Sequence, residues 1–251
     1  MKNEQKRAFA FACAVLFLSL TLQAEESCPV EVKLLLSPPT IQTAITSLSF
    51  EKQTRKRIYF FDTDALELFK QGVIVRLRQG ADNDLTVKVR APRGSGQVDN
   101  SHLRKHFPCE IDRTGDEENT SYAVRRKYKT PQIPEKGSDI SNLLTRRQEG
   151  LLREAGAVID WARVMRIAAI QSTQWETTAQ APFRKLALEL WEFPAGSILE
   201  ISTRVSPDAE PAKYAEFQRM ADGKGLSLQP DQRTKTEAAL EAFTHPTSTL
   251  K

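Results

Sequence analysis

Two short runs in the first half of the chain constrain its fold most, Val73–Arg78 and Leu85–Arg90. In the first, Val73, Val75 and Leu77 alternate with Arg76 and Arg78. In the second, Leu85, Val87 and Val89 alternate with Thr86, Lys88 and Arg90. Strict apolar–polar alternation marks a half-buried strand. The intervening Gly80-Ala81-Asp82-Asn83-Asp84 predicts a hairpin loop. Because side chains alternate across a strand, the hairpin gathers Arg76, Arg78, Lys88 and Arg90 on one surface. Like charges facing each other repel unless anions neutralise them. That surface is therefore either a solvated basic sheet face or a seat for a polyanion.

The residues just upstream sharpen this choice. An apolar run, Ile58-Tyr59-Phe60-Phe61, ends at Asp62-Thr63. A short helical turn with Leu66 and Phe69 follows, and Gly72 closes it. The whole stretch, YFFDTDALELFKQGVIVRLRQ followed by LTVKVR, resembles the signature of the CYTH domain, the superfamily of triphosphate tunnel metalloenzymes. In that family a strand ends in a DT turn, and a short helix leads to an RxR strand and a KxR strand. The resemblance implies an α+β fold: a closed antiparallel β-barrel of about eight strands with helices packed outside. It also implies a tunnel in which Lys and Arg hold a triphosphate while Glu and Asp hold Mg²⁺ or Mn²⁺. Members include inorganic and thiamine triphosphatases, RNA triphosphatases and class IV adenylyl cyclases.

Weaker matches extend over most of the remaining chain. Val30-Glu31-Val32-Lys33 resembles the family's ExExK strand, with Glu31 at the second glutamate and Lys33 at the lysine. Pro29 stands where the first glutamate belongs and offers no carboxylate. Phe107–Asp112 puts Glu110 and Asp112 on one strand face, like the family's acidic strand; paired carboxylates suit a hard divalent cation, and equally suit salt bridges to the basic hairpin. Lys185–Phe193 and Ser197–Val205 form a hairpin around Pro194-Ala195-Gly196. On its first strand Lys185, Glu189 and Trp191 share one face, and on its second Glu200, Ser202 and Arg204 do. Lys235, in RTKTEAAL, resembles the family's C-terminal lysine. The resemblance thus assigns phosphate binding to Lys33, Arg76, Arg78, Lys88, Arg90, Arg204 and Lys235. Glu110, Asp112 and Glu200 are metal ligands, and Glu31 and Glu110 are the carboxylates closest to the chemistry.

Elsewhere the reading is plainer. Gly115–Asp139 is polar and irregular, and its basic run at Val124–Lys129 reads as a solvated strand or loop. Leu143, Leu144, Leu151 and Leu152 predict a helix over Ser141–Ala155, stopped by Gly156. Pro211–Met220 predicts another. His102 and His106 stand at i,i+4 without a third ligand and read as surface residues.

Residues 1–24 read as a signal peptide. Lys2, Lys6 and Arg7 precede the apolar stretch Ala8–Leu22, which is too short for a stable anchor after cleavage. The expected organisation is thus 1–24 signal peptide, 25–245 one tunnel domain and 246–251 a disordered tail, with a periplasmic or secreted location. Losing three basic and one acidic residue with the leader lowers the formal charge from +4 to +2. A near-balanced protein is a poor general nucleic-acid binder, so any basic site must be local. Cys28 and Cys109 remain, and in an oxidising compartment a disulfide between them is preferred over two free thiols.

No G-x-S-x-G, P-loop or dinucleotide fingerprint is present. What remains is phosphoryl chemistry by electrostatics on a small phosphate-rich anion. A metal-dependent phosphohydrolase is one expectation. A non-catalytic polyanion-binding protein with a degenerate metal site is the other. Oligomeric state is not readable from these patterns.

Overall fold

A computed structural model of the chain describes residues 27–90, 101–127, 133–177, 183 and 185–244. The expected signal peptide, residues 91–100 and the expected tail lie outside the described residues. In chain order the elements are β1 (Val30–Leu36), α1 (Ile41–Ser47), β2 (Lys52–Asp62), α2 (Glu67–Lys70), β3 (Val73–Gly80) and β4 (Asp84–Arg90). Next come α3 (Ser101–Arg104), β5 (Cys109–Thr114), β6 (Glu117–Lys127), α4 (Gly137–Leu143) and α5 (Arg146–Glu154). The last are β7 (Met165–Thr177), β8 (Leu186–Phe193), β9 (Gly196–Val205), α6 (Glu210–Gly223) and α7 (Lys235–Thr244).

The strands close into one barrel in the order β1-β5-β6-β4-β3-β2-β7-β8-β9. Closure leaves no sheet edge unpaired. Every pairing is antiparallel except β1 with β5, which run parallel from Val30 opposite Ile111 to Lys33 opposite Thr114. The barrel therefore has nine strands rather than about eight, and one parallel seam. The additional strand is β6, inside the stretch expected to be irregular. Its outer-face residues Tyr122 and Val124 are buried, while Asn119, Ser121 and Arg125 sit at alternate positions on the inner face. A strand whose inner face meets a polar lumen shows little hydrophobic alternation, so the sequence pattern hides it.

Local chemistry places the turns. Asp62 is buried at the end of β2, and its carboxylate accepts from the backbone N–H groups of Thr63, Leu68 and Phe69. It thereby satisfies donors at the start of α2 that the short helix cannot satisfy itself. Gly72 follows with φ of 76°, a conformation that favours glycine, and turns the chain into β3. The single helix expected over Ser141–Ala155 is in fact two. Thr145 begins α5 with a capping box: its hydroxyl accepts from Gln148 N–H at 3.2 Å, and its own N–H reaches Gln148 Oε1 at 2.9 Å.

Three apolar groups hold the barrel. Outward residues of β2, β3, β4 and β6, among them Phe61, Val75, Leu85 and Val124, pack under Leu103, Ile140 and Leu151 of α3, α4 and α5. Outward residues of β1, β8 and β9 pack under α1 and α6, around Leu34, Leu188 and Phe217. The third group lies inside the barrel. Leu35, Ile58, Phe60, Ile74, Ile170 and Trp191 meet Ala238, Ala239 and Leu240 of α7. The small alanines let α7 approach closely, so this helix closes one end of the barrel instead of packing outside it. Cys28 and Cys109 form a disulfide, with Cα atoms 5.3 Å apart. No helix among the described residues is long and apolar enough to cross a membrane.

Candidate functional site

Pairing register puts alternate residues of each strand on a common inner face. Glu31 and Lys33 of β1, Arg76 and Arg78 of β3, and Asp84, Thr86 and Lys88 of β4 all face the lumen. Glu110 and Asp112 of β5 adjoin them, while Ser172, Glu189, Glu200, Ser202 and Arg204 come from β7, β8 and β9. The apolar group around α7 forms the floor beneath these charges.

The parallel seam gathers three carboxylates. Oxygens of Glu31, Glu110 and Asp112 lie within 4.8 Å of one another. Strand parity makes this possible, because Glu31 stands opposite Asp112 and Glu110 is two residues away on the same face. Lysines are interleaved with them. Lys33 bonds Asp112 and lies 3.0 Å from Glu31, and Lys88 Nζ lies 2.6 Å from Asp112. Ser202 Oγ donates to Glu31 at 3.0 Å, and Arg204 reaches Glu110 at 3.2 Å. Burial opposes ionisation of Asp112, but Lys33 and Lys88 outweigh it and hold the carboxyl well below the usual range. The two lysines respond differently. For Lys33, burial is overcome by Asp112, Glu31 and Glu200, and the ammonium is held well above its ordinary value. For Lys88, burial prevails over its bond to Asp112, with Lys33 adding repulsion, and the pKa falls.

The opposite wall carries an arginine group. Arg78 forks onto Asp84, with Nε to Oδ2 at 3.0 Å and Nη2 to Oδ1 at 3.1 Å. Arg125 Nη2 meets the same carboxylate at 2.9 Å, and Thr86 Oγ1 donates to it at 2.8 Å. Asp84 is 1% exposed and serves as the anchor of both arginines. Arg76 has no such anchor. Its Nε is buried without a hydrogen-bond partner, and among the described residues it forms no ion pair. Burial, reinforced by Arg78, lowers its pKa to about 10. A guanidinium held this way is a standing demand for an anion. Thr114, on the same face of β5 as Asp112, likewise has a buried hydroxyl with no partner.

A second charged group sits on the floor. Lys235 bonds Glu189, lies 2.8 Å from Glu200 and stands over the Trp191 ring at 4.9 Å. Glu189 also accepts from Ser172 Oγ at 2.6 Å and from Trp191 Nε1 at 2.8 Å. Burial opposes its charge, yet Lys235 and these two donors lower its pKa to about 2. Every member of this group is satisfied.

The structure thus brings together Glu31, Lys33, Lys88, Glu110 and Asp112, with Arg76 and Arg78 on the facing wall. Glu200 lies apart from the three clustered carboxylates, paired with Lys235. Arg90 has its guanidinium 4.9 Å above the Phe69 ring, near α2. Arg204 stands at the rim with its side chain 74% exposed. Three participants escaped the sequence reading. Asp84 was placed in a loop because it ends a run of turn residues, although its i,i+2 spacing to Thr86 was a usable signal. Arg125 belongs to the basic run that reads as a solvated strand or loop. Glu189 was on the correct face, but only α7 supplies its partner, 46 residues downstream.

No protein-family model matches the chain, and no curated protein does. Solved structures do. HpAC1 from Hippeastrum, a candidate adenylyl cyclase described as having a dominant triphosphatase activity, superposes with a TM-score of 0.58 at 18% identity, over 84% of this chain and 94% of that one. A candidate adenylate cyclase from Bacillus halodurans gives 0.56 at 16% identity, over 84% and 97%. At these identities the likeness carries the fold. The chain has the CYTH, or triphosphate-tunnel, fold.

Proposed function

We propose that the chain is an exported tunnel protein that binds triphosphate, or another phosphate-rich anion, and hydrolyses it with Mg²⁺ or Mn²⁺. The observation that carries the binding half is Arg76, whose Nε is buried without a hydrogen-bond partner and which forms no ion pair among the described residues, beside Arg78 in a lumen that also holds Lys33 and Lys88. A tetrahedral phosphate group offers pairs of oxygens that the planar fork of a guanidinium can meet bidentately. Arg76 and Arg78 grip it from one wall. Lys33 and Lys88 turn to it from the other, exchanging part of their bond to Asp112. Arg90 and Arg204 extend the basic lining at its two ends, and Lys235 braces the floor.

Glu31, Glu110 and Asp112 are the residues that would hold the metal. Three carboxylates within 4.8 Å form a hard oxygen donor set that fits Mg²⁺ or Mn²⁺. Bound there, the ion supplies positive charge to the transferring phosphoryl group. Among the described residues the ion-pair partner of Glu110 is the exposed Arg204, which leaves Glu110 well placed to orient a water toward phosphorus. Export is supported by the basic and apolar leader sequence and by the Cys28–Cys109 disulfide.

A second reading, binding without turnover, is favoured by two observations. Pro29 supplies no carboxylate beside Glu31, and Asp112 is held by two lysines at once. One experiment separates them. Oxidised protein is titrated with tripolyphosphate by calorimetry, and phosphate release is followed with and without Mn²⁺. Metal-dependent release that disappears in Glu110→Ala establishes the hydrolase, whereas binding without release establishes the second reading. In either case Arg76→Ala should weaken tripolyphosphate binding by about 10- to 100-fold, as loss of a charged hydrogen-bonding group does. Unchanged affinity in that variant would remove the basis of the proposal.

A further inference from the structure

The barrel consists of two arcs joined at two seams. One arc is β1-β9-β8-β7 and the other is β5-β6-β4-β3-β2. The β2–β7 seam is long, running from Lys52 opposite Glu176 to Asp62 opposite Met165. The β1–β5 seam is short, covering only Val30–Lys33, and it is parallel, the slightly weaker geometry per residue. β1 is paired along its length with β9, and β5 with β6. If the short seam opened, each strand would remain attached to its own arc.

The candidate metal ligands straddle that seam. Glu31 belongs to β1, while Glu110 and Asp112 belong to β5. The Cys28–Cys109 disulfide crosses it at the same end: Cys28 is three residues before Glu31, and Cys109 is immediately before Glu110. The Ile111 N–H to Pro29 carbonyl bond, at 2.9 Å, lies between the disulfide and the Glu31–Asp112 pair and beside Glu110. The other wall, with Arg76, Arg78, Asp84 and Arg125, lies wholly in one arc and does not depend on the seam.

We propose that the Cys28–Cys109 disulfide is a positioning element of the carboxylate cluster, so that the metal site is assembled in the oxidised protein and dismantled by reduction while the arginine wall persists. The inference rests on the metal-binding reading given above. A dithiol such as dithiothreitol reduces the bond to two thiols, supplying two electrons and two protons and becoming its own cyclic disulfide.

The test compares oxidised protein, protein reduced with dithiothreitol, the same sample reoxidised, and the paired variant Cys28→Ser/Cys109→Ser. Circular dichroism monitors the fold, Mn²⁺ affinity is read by electron paramagnetic resonance, and metal-free tripolyphosphate affinity by calorimetry. Hydrogen exchange is followed at the Ile111 amide and along β3–β4. Breaking the bond should weaken Mn²⁺ binding by about 10- to 100-fold, the usual cost of losing a group that orients metal ligands. Exchange at Ile111 should accelerate while β3–β4 protection stays within about twofold, and tripolyphosphate affinity, held by Arg76 and Arg78 outside the seam, should fall much less than Mn²⁺ affinity, by no more than the share of Lys33. Reoxidation should restore Mn²⁺ affinity and slow exchange at Ile111. Unchanged Mn²⁺ affinity and Ile111 exchange would overturn the proposal. So would global unfolding, or equal loss of both ligands, since either makes the bond a general staple. Should oxidised protein bind no Mn²⁺ at all, the hydrolase reading fails separately, and exchange at Ile111 alone decides the role of the disulfide.

Discussion

The lumen holds two groups of charges built from the same residue types, and they behave as opposites. On the floor, Lys235 is shared by Glu189 and Glu200, and Ser172 and the Trp191 indole complete the bonding of Glu189. Beneath it lies the apolar group around α7. Higher in the barrel, Glu31, Glu110 and Asp112 crowd together against Lys33 and Lys88, facing an arginine wall in which the buried Nε of Arg76 has no partner among the described residues. A closed network of buried charges fixes a structure, because each member is costly to leave unpaired. An open one stores unmet bonding capacity that a ligand can satisfy. The difference between the groups is one of completeness, and the most direct tests attack it.

The largest effect is expected on the floor. Lys235→Met leaves Glu189 and Glu200, directly opposite each other on β8 and β9, buried without their shared cation. Breaking such a group by removing one partner destabilises by about 3–5 kcal/mol. A urea denaturation midpoint measures it. If Lys235 instead serves the anion, as the resemblance implies, stability will hold and tripolyphosphate affinity will fall.

Acid should find the same group next. Glu189 titrates near pH 2 in the fold, below its ordinary value of 4.5, because Lys235 and two hydrogen bonds overcome burial. A depressed carboxyl pKa stabilises the fold fully above the unfolded value and loses that contribution as pH falls through the folded one. Stability should therefore decline between about pH 4.5 and pH 2, by up to about 3 kcal/mol from this residue. Asp112 acts in the same direction, its carboxyl held low by Lys33 and Lys88 against burial. The contribution of Glu189 is isolated by comparing the pH dependence of the urea midpoint with that of Glu189→Gln, which should be flatter across this window. Equal slopes would mean that the floor network contributes nothing through its charge.

How much of this contrast was legible in the sequence follows from which interactions are local. Parity within a strand and within a hairpin needs no tertiary information, so the common face of Arg76, Arg78 and Lys88 and the pairing of Glu110 with Asp112 were readable. The barrel itself followed from the likeness of that stretch to a known family. What depends on remote segments was not readable. β6 carries the polarity of the lumen and of its exposed end, which erases hydrophobic alternation. Asp84 ends a run of turn residues, and nothing local says that two arginines converge on it. The closure of the floor rests on Ala238 and Ala239, small residues with little hydrophobic signal that matter because they allow α7 to sit inside a barrel end. Gathering Glu31 with Glu110 and Asp112 required the parallel seam, a pairing between strands separated by most of the first half of the chain.

The smallest expected effect sharpens the comparison most. Among the described residues, Arg204 is the cation at the carboxylate cluster whose side chain is largely exposed, 74%, and its bond to Glu110 spans 3.2 Å at the rim. Exposed ion pairs contribute little, so Arg204→Ala should change the urea midpoint by less than about 1 kcal/mol. Its effect on ligands has the opposite signs for cation and anion. Removing a positive charge next to Glu110 leaves that carboxylate free to coordinate, so Mn²⁺ affinity should rise by a few-fold, on the order of one surface charge interaction. Tripolyphosphate affinity without metal should fall by a similar factor, and both changes should shrink as salt is raised, because the pair is open to solvent. Calorimetric titrations of each ligand at two ionic strengths test this. A rise in metal affinity with stability intact identifies the upper group as one whose pairs can be exchanged for ligands. If stability falls as far as in Lys235→Met, the two groups are alike, and the carboxylate cluster is a second structural brace.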